Sequence, residues 1–303
     1  MGLGSMLGEA WHSGTKRNSG ATEPVVRCLT VGATVNLPGH PDGPGLSLFR
    51  EADSRMGPLT MRRSFDRWLP TTFATSGAAG DAAAGLQSFV SWKPPQGDVR
   101  GATAGWYDQQ IEAWARSVPR TGVYATAFHE PENDLTAAEF VAFQRHVYTV
   151  VKAANPTILW GPVYMAYWWD PSKPGHYVGN PAAWWPGKRY ADFVALDWYA
   201  PDPTPMTTSR SFTNWYRTME PTGLPLLITE YGQYFLPTGQ TPDPAKEQAR
   251  ASAIRQDADW IARHPQVTAW LYWQGGDETG EWRMRDRASQ LAWQSVANRG
   301  CPS

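Results

Sequence analysis

Eight short runs rich in β-branched and aromatic residues recur along the 303-residue chain, and most are followed by a stretch with helical spacing. The runs occupy 25–36, 57–65, 86–94, 122–128, 157–169, 192–200, 225–232 and 267–275. Helical patterns are predicted over 107–118, 137–154, 211–219, 245–263 and 286–298. In the first of these, Ile111, Trp114, Ala115 and Val118 share one side. Thr136 with Glu139 three residues on reads as a capping box at a helix start, and Pro156 follows that helix's end. The helical signal is weakest between the second and third runs, around 77–86. Strands that alternate with helices along one chain are accommodated by a parallel sheet covered by helices. With eight such strands, the expected fold class is α/β: a single (β/α)8 TIM barrel with long loops at the C-terminal strand ends.

The loops after strands are longer and richer in Pro, Gly and Trp than those before them. "DPSKPGHYVGNPAAWWPGKR" follows the fifth run and "PDPTPMTTSR" the sixth. Barrels carry their chemistry at that end. No internal linker divides the chain. Residues 1–22 are Gly/Ser-rich and read as a flexible or partner-bound arm, and 23–303 as the barrel domain. The arm has no positive n-region and no sustained apolar stretch, so it does not read as a secretory signal.

Two of the strands end in a glutamate. Glu130 closes the fourth in "AFHEP", and Glu230 closes the seventh in "LLITEYG". Two carboxyls at one barrel rim are the equipment of glycoside hydrolysis: one protonates the leaving oxygen and the other attacks the anomeric carbon. A single strand-end Glu would more simply pair with a rim arginine such as Arg62 or Arg63. Two, delivered from opposite sides of the barrel among many aromatics, favour catalysis.

On these residues the chain resembles the retaining glycosidases of the large (β/α)8 clan, whose acid/base ends strand four and whose nucleophile ends strand seven. His129 before Glu130 is similar to the His-Glu pair of glycoside hydrolase family 26, best known for β-mannanases. "LDWY" places Asp197 and Tyr199 as that family places its Asp-x-Tyr, and Trp273 fits the Trp that floors the catalytic subsite. The resemblance implies Glu130 as acid/base and Glu230 as nucleophile. It implies His129 beside the reacting sugar, Tyr199 holding Glu230 ionised, and Asp197 binding a hydroxyl or anchoring a neighbour. Mannanases of this family continue with Asn-Gly and then Trp, whereas this chain continues with Pro131, Glu132, Asn133, Asp134 and Leu135.

Further rim residues carry two readings each. Trp92 and Lys93 end the third strand: a stacking platform and a hydroxyl ligand, or a core Trp and a solvated Lys. Arg63 and Tyr167 are candidate substrate contacts. Glu132 could be a rival acid, a sugar ligand or part of a helix entry, and Asn133 and Asp134 are expected to cap the following helix.

Composition narrows the partners. The 17 Trp, 12 Tyr and 10 Phe suit either a large aromatic core or a sugar-binding surface. A formal net charge of -1 with no basic cluster argues against nucleic acid, and no apolar run is long enough to span a membrane. Six His show no metal-ligand spacing, and the nucleophile elbow, P-loop and dinucleotide fingerprint are missing, so neither metal nor cofactor is expected. The expected partner is a polysaccharide or oligosaccharide, with a possible assembly partner for the arm. Two rival readings are an endo-acting hydrolase and a non-catalytic carbohydrate-binding or structural barrel, for example in a phage tail or cell-surface assembly. Either setting favours an extracellular or virion-associated location. Cys28 and Cys301 can be bridged across a closed barrel or remain separate thiols.

Overall fold

The computed structural model describes residues 28–37, 40–41 and 46–301. The arm expected over 1–22 lies outside the described residues. The barrel strands are β1 (Thr30–Thr34), β2 (Met61–Asp66), β3 (Gln87–Trp92), β4 (Tyr124–Ala127), β5 (Leu159–Trp160, resuming as Val163–Met165), β6 (Val194–Ala200), β7 (Leu226–Gln233) and β8 (Val267–Trp273). All neighbouring pairs are parallel. The first half of β5 pairs with β4 and the second half with β6, so this one broken strand closes the barrel.

The break falls at Gly161–Pro162. A Cβ on Gly161 would lie 2.3 Å from the Phe193 carbonyl oxygen. Pro162 has no N–H to donate to a ladder. The sequence reads this segment as one strand over 157–169. The structure ends β5 at Met165 and folds Ala166–Trp169 into a 3₁₀ turn at the rim.

Seven helices are described: α1 (Ser47–Met56), α2 (Val99–Thr103), α3 (Asp108–Ser117), α4 (Ala137–Ala154), α5 (Arg210–Met219), α6 (Pro244–Ala262) and α7 (Arg287–Ala297). The Thr136–Glu139 capping box forms as expected: Thr136 Oγ1 accepts from Glu139 N, and Thr136 N donates to Glu139 Oε2. Between β2 and β3 stand only the 3₁₀ turns Phe73–Thr75 and Ala82–Ala84, where the helical signal was weakest. Helices α1 and α2 have no counterpart in the sequence reading.

Side chains alternate across each strand. Inward positions such as Met61, Phe89, Val163, Ala195, Leu227 and Leu271 fill the lower barrel. Outward positions pack under the helices. Eight tryptophans, including Trp92, Trp114, Trp160, Trp270 and Trp293, are essentially fully buried there, so much of the aromatic surplus is core. A Cys28–Cys301 disulfide joins the segment entering β1 to the segment leaving α7, and Cys301 N donates to Leu29 O. No helix among the described residues is long and apolar enough to cross a membrane.

Candidate active site

The site follows from strand alternation. On β2, Arg62 points outward to a buried ion pair with Asp81 at 2.6 Å, which sends Arg63 and Phe65 inward. On β6, Trp198 packs outward on Tyr231, which sends Asp197 and Tyr199 inward. On β8, Trp270 packs outward on Trp293, and Trp273 points inward.

β7 breaks its own alternation. Ile228 pairs with Leu196 and Glu230 with Asp197, so Thr229 is an extra residue, a bulge against β6. A bulge shifts the phase of everything beyond it. Thr229 and Glu230 therefore both reach the site, and Tyr231 turns out to the helices.

After β4 the chain leaves regular geometry. Phe128 (φ 58°) and Glu130 (φ 52°) both adopt the left-handed region, flanking His129. Such residues cost on the order of 1 kcal/mol each and gather at functional sites. The turn is pinned from both sides: Phe128 N donates to Trp92 O, and Glu130 N to Val163 O.

Arg63 sits at the centre, buried. Its Nη1 donates to Asp197 Oδ1 at 2.6 Å and forms an ion pair with Glu230 Oε1 at 3.0 Å, and its Nε donates to Ser91 Oγ at 3.2 Å. Thr229 Oγ1 donates to Asp197 Oδ1 at 2.7 Å, and the Tyr199 hydroxyl donates to Glu230 Oε2. Carboxylate oxygens of Glu130, Asp197 and Glu230 lie within 4.8 Å of one another. Three carboxylates could hold a cation, but the Arg63 guanidinium already supplies positive charge between two of them. Arg63 Nη2 and Asp197 Oδ2 are buried and have no hydrogen-bond partner among the described residues.

These groups cannot all be ionised. Burial pushes Glu130 up to about 8, reinforced by Asp197 and opposed by Arg63. Burial also raises Glu230 and Asp197, against the pull of Arg63. Glu230 has an ion pair with Arg63 and a hydrogen bond from Tyr199, both of which favour a carboxylate, whereas the Glu130 carboxyl has neither among the described residues. The proton therefore belongs on Glu130. Burial holds the Tyr199 phenol well above its usual range, so it remains a donor. Burial, with Arg63 and Lys93 nearby, keeps His129 well below its usual range and neutral.

Phe65 and Trp273 wall the site: the Phe65 ring lies 5.1 Å from His129 and 5.9 Å from Trp273, and Trp273 lies 6.3 Å from Tyr199. A groove of about 570 Å³ leads outward from Asp197 and Tyr199, between Tyr167 and Trp282 and past Lys173 and Arg210. Tyr167 is among the most exposed aromatics of the described residues, at 42%. The Trp282 ring packs 4.9 Å from Tyr199.

Of the predicted site residues, the structure brings together Glu130, Glu230, His129, Asp197, Tyr199, Trp273 and Arg63, with Tyr167 on the groove. Lys93 sits on the rim, its ammonium 4.4 Å from the Phe128 ring centroid and 3.5 Å from Asp134. Trp92 is corrected: only 1% exposed, it packs between Trp114 and Trp160, because its neighbour Ser91 takes the inward position. It belongs to the core and offers no face to a sugar. Glu132 is corrected too. It is 8% exposed and faces the backbone of Met165 and the indole of Trp169 rather than the groove. Asn133 and Asp134 do not cap α4. Asn133 Oδ1 accepts from Trp168 Nε1 at 2.7 Å, and Asp134 pairs with Lys93. Sequence reasoning missed Phe65, Ser91, Thr229 and Trp282. The first two lie two positions, one inward step, from residues it had singled out or discounted.

No protein-family description and no curated protein matches the sequence. Among solved structures, the fold is similar to endoglucanase Cel5A from the hyperthermophilic Thermotoga maritima, with TM-score 0.61 and 13% identity over 88% of this chain and 98% of that one. It is similar to a glucosidase from Croceicoccus marinus, with TM-score 0.60 and 14% identity over 90% and 68%. It is also similar to GH26C from a Muricauda species, with TM-score 0.58 and 13% identity over 90% and 86%. At these identities the likeness is one of fold, and the folds it selects are (β/α)8 barrels of glycoside hydrolases.

Proposed function

We propose that the protein is a retaining, endo-acting glycoside hydrolase that cleaves a β-linked polysaccharide, mannan-like or from a bacterial envelope, by double displacement. The observation that carries this is that one carboxylate oxygen of Glu130 and one of Glu230 lie within 4.8 Å of each other. Retaining enzymes hold their two carboxyls about 5–5.5 Å apart, whereas inverting enzymes leave about 6.5–9.5 Å for a water.

Glu230, ionised and aimed by Arg63 and Tyr199, attacks the anomeric carbon while Glu130 gives its proton to the departing glycosidic oxygen. A covalent glycosyl-enzyme forms. Glu130, now a carboxylate, takes a proton from water, and that water releases the sugar and restores Glu230. Trp273 and Phe65 wall the reacting sugar, His129 offers a polar contact to its hydroxyls, and the fully buried Asp197 anchors Arg63. The groove between Tyr167 and Trp282 accepts further sugar units, which suits internal cleavage. The bridged Cys28–Cys301 pair suits an oxidising setting and supports an extracellular or virion-associated location, with residues 1–22 as the link to an assembly partner.

The test is a reducing-sugar assay on β-mannan, β-1,4-glucan and bacterial envelope polysaccharides, with NMR of the first-formed anomer. Cleavage with retained configuration is expected. Glu130→Gln and Glu230→Gln should each lower kcat by at least about 10²–10⁴-fold with the fold intact. An active Glu230→Gln variant overturns the assignment. Binding on a glycan array without cleavage by the wild type would instead favour the non-catalytic barrel.

A further inference from the structure

The turn after the acid carries a second buried carboxyl, Glu132, for which the hydrolytic steps have no use. Both of its oxygens accept from Met165 N at 3.2 Å, and Oε1 also accepts from Trp169 Nε1 at 2.8 Å. The next residue extends the contact, with Asn133 Oδ1 accepting from Trp168 Nε1. Two consecutive side chains thus hold two consecutive indoles. Between Met165 and those indoles lies Tyr167, the exposed wall of the groove. The same short segment, Glu130–Asn133, therefore bears the acid at one end and fastens the groove wall at the other. Pro131 stiffens the step between them.

We propose that Glu132 is a positioning residue: it locks the acid-bearing turn to the Met165–Trp169 turn that carries the Tyr167 wall, and it presents its own charge to Glu130. This rests on the assignment of Glu130 as the acid. Glu132 accepts from two N–H groups, Met165 N shared between its two oxygens and Trp169 Nε1, donors of the kind a carboxylate accepts best. Glu130 on the same turn, Asp197 on β6 and Tyr164 on β5 face it electrostatically, while Arg63 and Lys93 reach Glu130. Burial pushes Glu132 up to about 8, beside a Glu130 that titrates in the same range, so each ionisation opposes the other.

The experiment compares the pH profile of kcat/KM for wild type, Glu132→Gln, Glu132→Asp and Asn133→Ala on whichever polysaccharide the wild type cleaves. Removing the charge in Glu132→Gln should move the alkaline limb to lower pH by about 0.5–1 unit. Glu132→Asp should return it toward the wild-type position. Asn133→Ala loosens the wall without touching the charge, and should raise KM with the limb unmoved. A limb that stays in place in Glu132→Gln overturns the proposal and leaves Glu132 as a fastening only.

A second readout needs no substrate. The carboxylic-acid C=O band of Glu130, identified by its loss in Glu130→Gln, is titrated by infrared difference spectroscopy. It should titrate lower in Glu132→Gln. By linkage the Glu132 band should titrate lower by the same amount in Glu130→Gln, which keeps the test open if Glu132→Gln does not fold. Independent titrations overturn the proposal. Coupled titrations in a protein that cleaves no glycan would uphold the coupling and sink the hydrolase assignment alone.

Discussion

At the residue scale, the decisive asymmetry is between two glutamates in one pocket. Glu230 has an ion pair with Arg63 and a hydrogen bond from Tyr199, and the Glu130 carboxyl has neither among the described residues. The pH dependence follows with its sign. The acid must be protonated, and burial pushes it up to about 8, so activity should fall as pH rises through about 8. A profile of kcat/KM that stays flat to well above that point would remove Glu130 from the role. Tyr199→Phe deletes a hydrogen bond to a charged group, worth about 1.5–3 kcal/mol, so kcat/KM should drop about 10- to 100-fold with little change in melting temperature. Glu130 and Glu230 were legible because each closes an apolar run, and the end of a run is where a barrel strand meets solvent; His129, Asp197 and Tyr199 were singled out through the resemblance of their motifs to a known family. Trp92 was not, because a strand-end Trp looks the same whether it faces the groove or the helices. Only the inward bond of Ser91 to Arg63 decides its side.

At the scale of elements, the alternation that delivers Arg63, Asp197 and Trp273 inward fails on β7. Counting by twos from the inward Leu227 sends Glu230 outward, and the bulge at Thr229 brings it back. Nothing in "LLITEYG" marks that extra residue, since bulges are set by the partner strand as much as by their own sequence. The capping box was legible because its two bonds are local. Thr136→Ala should cost about 1 kcal/mol in chemical denaturation. Closure at β5 was read as one strand, since its Gly-Pro break is defined by the close approach of Phe193 rather than by the run itself. Gly161→Ala presses a methyl onto that carbonyl and should destabilise by more than about 2 kcal/mol, read as a lowered denaturation midpoint. A midpoint equal to wild type would mean that the seam can relax.

At the scale of the whole molecule, several buried carboxyls share a direction. Burial raises Glu130 and Glu132 to about 8 and Asp66 and Asp257 to about 6. A carboxyl raised on folding binds its proton more tightly in the native state. Its stabilisation is complete below the unfolded value near 4 and is lost as pH rises through the folded value. Calorimetry should therefore show the melting temperature falling as pH rises above about 4, less steeply above about 6 and levelling above about 8. Glu132→Gln should make the fall between about 6 and 8 shallower. Reduction of Cys28–Cys301, or Cys28→Ser with Cys301→Ser, reopens a closure spanning 273 residues. It should lower the melting temperature, with a chain-entropy ceiling of about 5 kcal/mol.

That disulfide also gives the molecule a handle and a working end. Cys28 precedes the first residue of β1 and Cys301 follows the last helix, so both lie at the pole where strands begin. The carboxylates lie at the pole where strands finish. The described chain thus enters and leaves the barrel at one point on the pole opposite the carboxylates, and the bridge ties entry to exit there.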